Sequence, residues 1–234
     1  MNSHSRLALI LVPLLMVACS KKEVSAPATV VVPVAAPAAA PAPVAAAAPA
    51  APAIDPANMS AEQKAIAGKQ KALDFGIMED KYINDPLAQW SASATASSSY
   101  SDSNTNEPYE SHLPKWLAGP VDGKYWRNKS SDIGFEWVQL DYAKPVNATE
   151  VRLVVDSGTG VEALNKIELQ DTDGKWNTVW SGISDVKRDE RGARTWFVKT
   201  FPKTAYKVKA VKYTVANNVS TGNKEFDAAQ LVGE

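Results

Sequence analysis

From Trp90 to the C-terminus, apolar residues recur at every second position in a series of short runs. Between Glu136 and Val146, Val138, Leu140 and Tyr142 share one face while Gln139 and Asp141 take the other, the alternation of a half-buried strand. Trp137 lies on the polar-facing side and must be exposed or covered by a loop, and Lys144-Pro145 stops the ladder. Val151, Leu153 and Val155 repeat the pattern, Gly158-Thr159-Gly160 makes a turn, and Ile167 and Leu169 start another strand. Asp173-Gly174 then signals a hairpin into Lys175–Trp180. Runs at 196–201, 208–215 and 226–232 supply three more strands, with Val211, Tyr213 and Val215 facing inward against Lys212 and Thr214. Seven or eight short strands with no second helix predict an all-β fold, an antiparallel jelly-roll sandwich over residues 88–234.

Upstream the period changes. Ser60 followed by Gln63 is a capping-box pattern, and Ile66, Ala67, Leu73 and Ile77 form a thin apolar stripe interrupted by Gly68. This predicts a short helix over roughly 60–74 within a connecting segment of residues 55–87, either docked on the β-domain or standing as a solvated stalk. Residues 24–54 hold 15 Ala and 7 Pro and no charge. Prolines at that density break the helix that alanine favours. The expectation for residues 19–54 is therefore a disordered, polyproline-rich tether reaching up to roughly 100 Å at about 3.1 Å per residue.

The N-terminus carries Arg6, an apolar run from Leu7 to Ala18, and Cys19. Twelve apolar residues are too few to span a bilayer and suit the core of a signal peptide over residues 1–18. Met16-Val17-Ala18-Cys19 resembles the bacterial lipobox, which implies cleavage before Cys19 and acylation of its thiol and new amino group. Two or three acyl chains give stable membrane anchoring. Ser20 stands where an Asp is associated with inner-membrane retention, so the resemblance implies an outer-membrane address in the cell envelope. Cys19 is the chain's single cysteine, which excludes a disulfide within the chain.

Charge narrows the partners. Residues 55–234 carry 22 basic and 25 acidic side chains with no basic stripe, which argues against nucleic acid. With His4 in the signal peptide, His112 has no second histidine or cysteine for a zinc site or a nucleophile–base pair, and reads as a solvated loop residue. Asp102, Glu107, Glu110, Asp122 and Asp132 could supply the two carboxylates of a glycosidase, but nothing in their spacing sets a pair about 5–10 Å apart.

The blocks Trp90–Ser98, Leu117–Asp122 with Trp126, Glu136–Tyr142 with Lys144-Pro145-Val146, Ile167–Asp171 with Asp173–Trp176, and Asn223–Gly233 follow one another in order. Together they resemble the discoidin, or coagulation-factor type C, domain of the galactose-binding-like superfamily. The resemblance implies an eight-stranded jelly roll that binds glycans, phospholipids or proteins through loops at one end. Many such domains hold a structural calcium ion, often marked by a glutamate beside the last strand. Here Ala228 takes that place, with Glu225 and Asp227 adjacent, so no cofactor is expected and calcium is the one ion the resemblance raises. Trp90, Trp126, Trp137 and Trp176 fall in the blocks and are expected in the core.

The long irregular stretch from Tyr109 to Phe135 is where a ligand surface is expected. Tyr109, Trp116, Tyr125, Arg127 and Asn128 combine aromatic faces for sugar C–H patches with polar groups for hydroxyls. The expected function is a lipid-anchored, non-catalytic binding module for an envelope glycan. The alternatives are a protein-interaction module of an envelope complex and, third, a hydrolase.

Overall fold

The computed structural model describes residues 58–234 apart from 102, 103 and 158. The segments expected to form a signal peptide and an Ala/Pro-rich tether, with Cys19 between them, lie outside the described residues. The described chain forms one helix, α1 (Ala61–Ile83), and ten strands: β1 (Ala88–Trp90), β2 (Ser93–Ala96), β3 (Trp126–Arg127), β4 (Phe135–Val146), β5 (Ala148–Asp156), β6 (Leu164–Asp171), β7 (Trp176–Ser181), β8 (Arg194–Thr200), β9 (Val208–Ala216) and β10 (Glu225–Gly233). One sheet runs β1-β10-β5-β8 with β3 added against β10, and the other runs β2-β4-β9-β6-β7. All pairs are antiparallel, so the architecture is the expected sandwich.

The periodic segments behave as their patterns require. Val138, Leu140 and Tyr142 of β4 meet Leu153, Val155, Phe197, Val211, Tyr213 and Leu231 in one continuous core. At Lys144-Pro145 the pairing of β4 with β9 breaks register between Asp141 and Val146, while the strand itself continues. The Asp173-Gly174 hairpin forms, with the Asp171 carboxylate accepting the Asp173 and Lys175 N–H groups at 3.1 and 2.8 Å. Ten strands replace the expected eight because the stretch after Trp90 is two strands, not one. The chain crosses between the sheets at Ser91-Ala92, and the two-residue β3 is too short to leave a period.

Of the four tryptophans expected in the core, only Trp126 is fully enclosed. Trp90 packs at the helix interface. Trp137 and Trp176 lie half-buried on the outer face of the second sheet, where the Lys212 ammonium sits 5.4 and 4.0 Å from their ring centres.

The helix is longer than its stripe implied and docks by other residues. Its capping box is present as expected, with Ser60 Oγ accepting from the Gln63 N–H and Gln63 Oε1 from the Ser60 N–H. Phe75, Met78 and Tyr82, spaced three and four apart, pack against Val154, Trp196 and Ala228 on the outer face of the first sheet. That is why β5 and β10 are buried on both faces. Phe75 lies so close over Gly192 that a Cβ there would collide with its ring. Glu79 accepts from Arg194 and Trp196 at 2.9 and 3.1 Å, and the Tyr82 carbonyl accepts from Gln230 at 2.9 Å. Arg152, nearly buried, joins Asp85 at 2.7 Å and Gln230 at 3.1 Å. Ile66, Leu73 and Ile77, the stripe read from the sequence, are instead 60%, 57% and 61% exposed.

Strand direction gathers the connections after β2, β3, β5, β7 and β9 at one end of the sandwich. Truncating the docked ring tests the helix interface. Phe75→Ala should cost about 3 kcal/mol and lower the melting temperature by roughly 6–12 °C. Ile66→Ala should cost less than about 0.5 kcal/mol; equal losses for the two would refute this division of the helix.

Candidate functional site

The stretch from Tyr109 to Phe135, expected to carry a ligand surface, runs through the end of the β2–β3 connection, β3 and the β3–β4 connection, and the β2–β3 connection is pinned rather than loose. Leu117 is fully buried, the Gly119 N–H donates to the Ser91 carbonyl at 2.9 Å, and Trp126 Nε1 donates to the Ser98 carbonyl at 2.8 Å. Between these anchors the chain forms two single-turn 3₁₀ segments, Glu110–His112 and Pro114–Leu117.

The outward side chains form an aromatic cluster. Tyr100 stacks on Tyr109 with ring centres 5.6 Å apart, and His112 stacks on Tyr125 at 5.3 Å. Tyr109 meets His112 edge-on at 6.2 Å. Beside them is a concave cavity of about 630 Å³ lined by Tyr109, His112, Trp116, Lys124 and Tyr125, with Glu110, Ser111 and Gly123. Trp116 is oriented by its Nε1–H, which donates to the Glu110 carbonyl at 2.7 Å. Lys115 and Lys124 place their ammonium groups 5.0 and 4.6 Å from its ring centre. Lys115 pairs with Glu110, and Lys124 pairs with Asp122 at 2.9 Å.

Of the five side chains expected to bind, Tyr109, Trp116 and Tyr125 come together in this cavity. Arg127 stands behind it. Its guanidinium lies 4.4 Å from the Tyr100 ring centre, donates to Asn223 at 3.2 Å, and has Nε 3.3 Å from Glu225. Asn128 is a correction, because it is fully buried. It alternates with Arg127 and shares the inward side with Trp126, and it donates to Glu136 and Asn217 while accepting from the Lys224 N–H. A side chain so enclosed cannot reach a ligand.

His112, expected as a solvated residue, is half-buried among three tyrosines, and its Nδ1 has no hydrogen-bond partner among the described residues. Burial, then the nearby Arg127 charge, hold its pKa below the ordinary histidine value. Sequence reasoning missed it because a lone histidine has no spacing partner. The same reasoning missed Tyr100, Lys124 and Asp227.

Asp227 acts on the cavity from behind. It sits at the bulge where β10 shifts register against β5 and is 1% exposed. Its carboxylate accepts the backbone N–H groups of Asp122 and Gly123 at 3.3 and 3.1 Å, which holds the segment bearing Lys124 and Tyr125. Burial pushes its pKa up to about 6, against the opposing pull of those two N–H groups.

The residues do not fit calcium at the place the resemblance marks. Ala228 is buried beneath α1, Glu225 is held by Arg127, and Asp227 faces backbone N–H groups. Among the described residues no three His, Cys, Asp or Glu side chains converge as metal ligands.

No family model and no curated protein matches this chain. Solved structures do resemble it. A family 32 carbohydrate-binding module of C. perfringens NanJ, solved in complex with galactose, is 12% identical over 62% of this chain and 98% of its own, with a TM-score of 0.47. A Clostridium perfringens module solved with GalNAc-β-1,3-galactose is 15% identical over 64% and 99%, at 0.45. A chitosan-binding module of a Paenibacillus sp. IK-5 chitosanase/glucanase is 14% identical over 61% and 96%, at 0.43.

Asp227 gives the site a pH signature. Its folded pKa is raised, so its stabilising contribution is fully present below about pH 3.8 and is lost as the pH rises through about 6. Relative to Asp227→Asn, the wild type should lose on the order of 2 kcal/mol in urea unfolding between pH 4 and 6.5. Parallel pH profiles for the two proteins would contradict this assignment.

Proposed function

We propose that this chain is a lipid-anchored envelope protein whose β-sandwich binds carbohydrate non-catalytically in the cavity of Tyr109, His112, Trp116 and Tyr125. The carrying observation is the convergence of four ring systems on one concave surface of about 630 Å³, edged by Lys124, Glu110 and Ser111. Ring faces cover the apolar C–H side of a sugar, and the polar groups at the edge bond its hydroxyls. The rings are held by one another and by the Trp116–Glu110 hydrogen bond, so little rotamer freedom is lost on binding. The anchor rests on the lipobox-like sequence ending at Cys19, with the outer membrane as the favoured location. A second reading, a protein-interaction module of an envelope complex, is favoured by the exposed stripe of Ile66, Leu73 and Ile77 on α1.

A glycan array on the full chain in detergent, followed by calorimetric titration of the hits, tests the first reading. Trp116→Ala and Tyr125→Ala should each weaken a sugar hit about tenfold, or roughly 1.4 kcal/mol, without lowering the melting temperature. No hit on the array, with an envelope protein co-purifying through Ile66 and Leu73, would favour the second reading. Cys19→Ser should move the protein from the membrane to the soluble fraction; unchanged fractionation would refute the lipid anchor.

A further inference from the structure

At the cavity's end of the sandwich lies a buried cation that belongs to the chain itself. Lys224 is fully enclosed, at 0% exposure. Its ammonium donates toward four backbone carbonyls: Ser220 and Gly222 at 2.6 Å, Ser131 at 3.0 Å and Asn217 at 3.3 Å. An ammonium has three protons, so four oxygens at this range treat it as a coordinated ion as much as a hydrogen-bond donor. Two loops supply the cage, the one before β4 and the one before β10.

The surroundings are built for a positive charge. Burial pulls the Lys224 pKa down, while the Glu136 and Asp132 carboxylates oppose that pull. Glu136 is itself nearly buried and accepts from Ser98, Asn128 and Asn217. Asn128 closes the circuit by accepting the Lys224 N–H at 2.6 Å. The lysine stem needs Gly160, whose φ is +94° and whose place leaves no room for a Cβ beside the Lys224 methylenes.

We infer that Lys224 is a tethered structural cation: its ammonium fills a carbonyl cage that would otherwise require a bound monovalent ion. The nearest oxygens stand at 2.6 Å and none is a carboxylate, which suits an ammonium- or potassium-sized ion. Calcium takes six or more oxygens, carboxylates among them, at about 2.3–2.6 Å. The domain therefore keeps these loops in place without any free metal, which departs from what the discoidin resemblance implies.

Thermal melting of the full chain tests this, using wild type, Lys224→Ala and Lys224→Met at constant ionic strength with tetramethylammonium chloride as the inert salt. The wild type should melt within about 1 °C of the same temperature in EDTA, calcium, potassium or ammonium. Lys224→Ala should melt lower and regain roughly 5 °C or more when ammonium or potassium replaces tetramethylammonium. Lys224→Met, whose side chain fills the channel without charge, should regain nothing. A wild type destabilised by EDTA would overturn the inference. So would a Lys224→Ala protein that no monovalent cation rescues, or that stays unfolded in every salt.

Discussion

The loop end of this sandwich depends on a buried ammonium and a buried carboxylate that share one set of hydrogen bonds. Lys224 and Glu136 are joined through Asn128 and Asn217, and the network reaches Ser98, Ser131, Ser220 and Gly222. It thus ties together the connections after β2, β3 and β9. Removing one charge from such a set leaves the other desolvated and unpaired, which costs several kcal/mol. The partners must therefore be satisfied together, and this fixes the loop paths before any ligand arrives.

The aromatic cavity inherits that order. Trp126 and Leu117 plug the long connection into the core, Arg127 leaves β3 to brace Tyr100, and Asp227 grips the segment that carries Tyr125. None of these contacts requires a ligand. The polar groups that hold the site lie behind it, while the rings face outward.

Much of the sandwich could be read from the sequence because β4 and β9 bury an alternating face along most of their length. The helix could not be read in the same way. Its two apolar faces compete, and the more regular stripe of Ile66, Leu73 and Ile77 is the exposed one, because the sheet beneath presents Trp196 and Val154 to Phe75 and Tyr82. Within the site, residue type found Tyr109, Trp116 and Tyr125. Adjacency misled for Asn128, although its parity with Trp126 placed it on the inner side of the chain. The Lys224 cage left no sequence signal, since backbone carbonyls carry none and a lysine beside an acidic residue normally reads as solvated.

Helix α1 crosses the outer face of the first sheet obliquely, from Phe75 over Gly192 in the β7–β8 connection to Tyr82 beside β10. Residues 61–74 thus run on past the edge of the sheet at the end where the cavity opens, over about 20 Å of helix. The helix therefore carries Ile66 and Leu73 beyond the sheet that covers Phe75 and Tyr82, so its first half is held by its own capping box and backbone ladder while its second half is held by the sandwich.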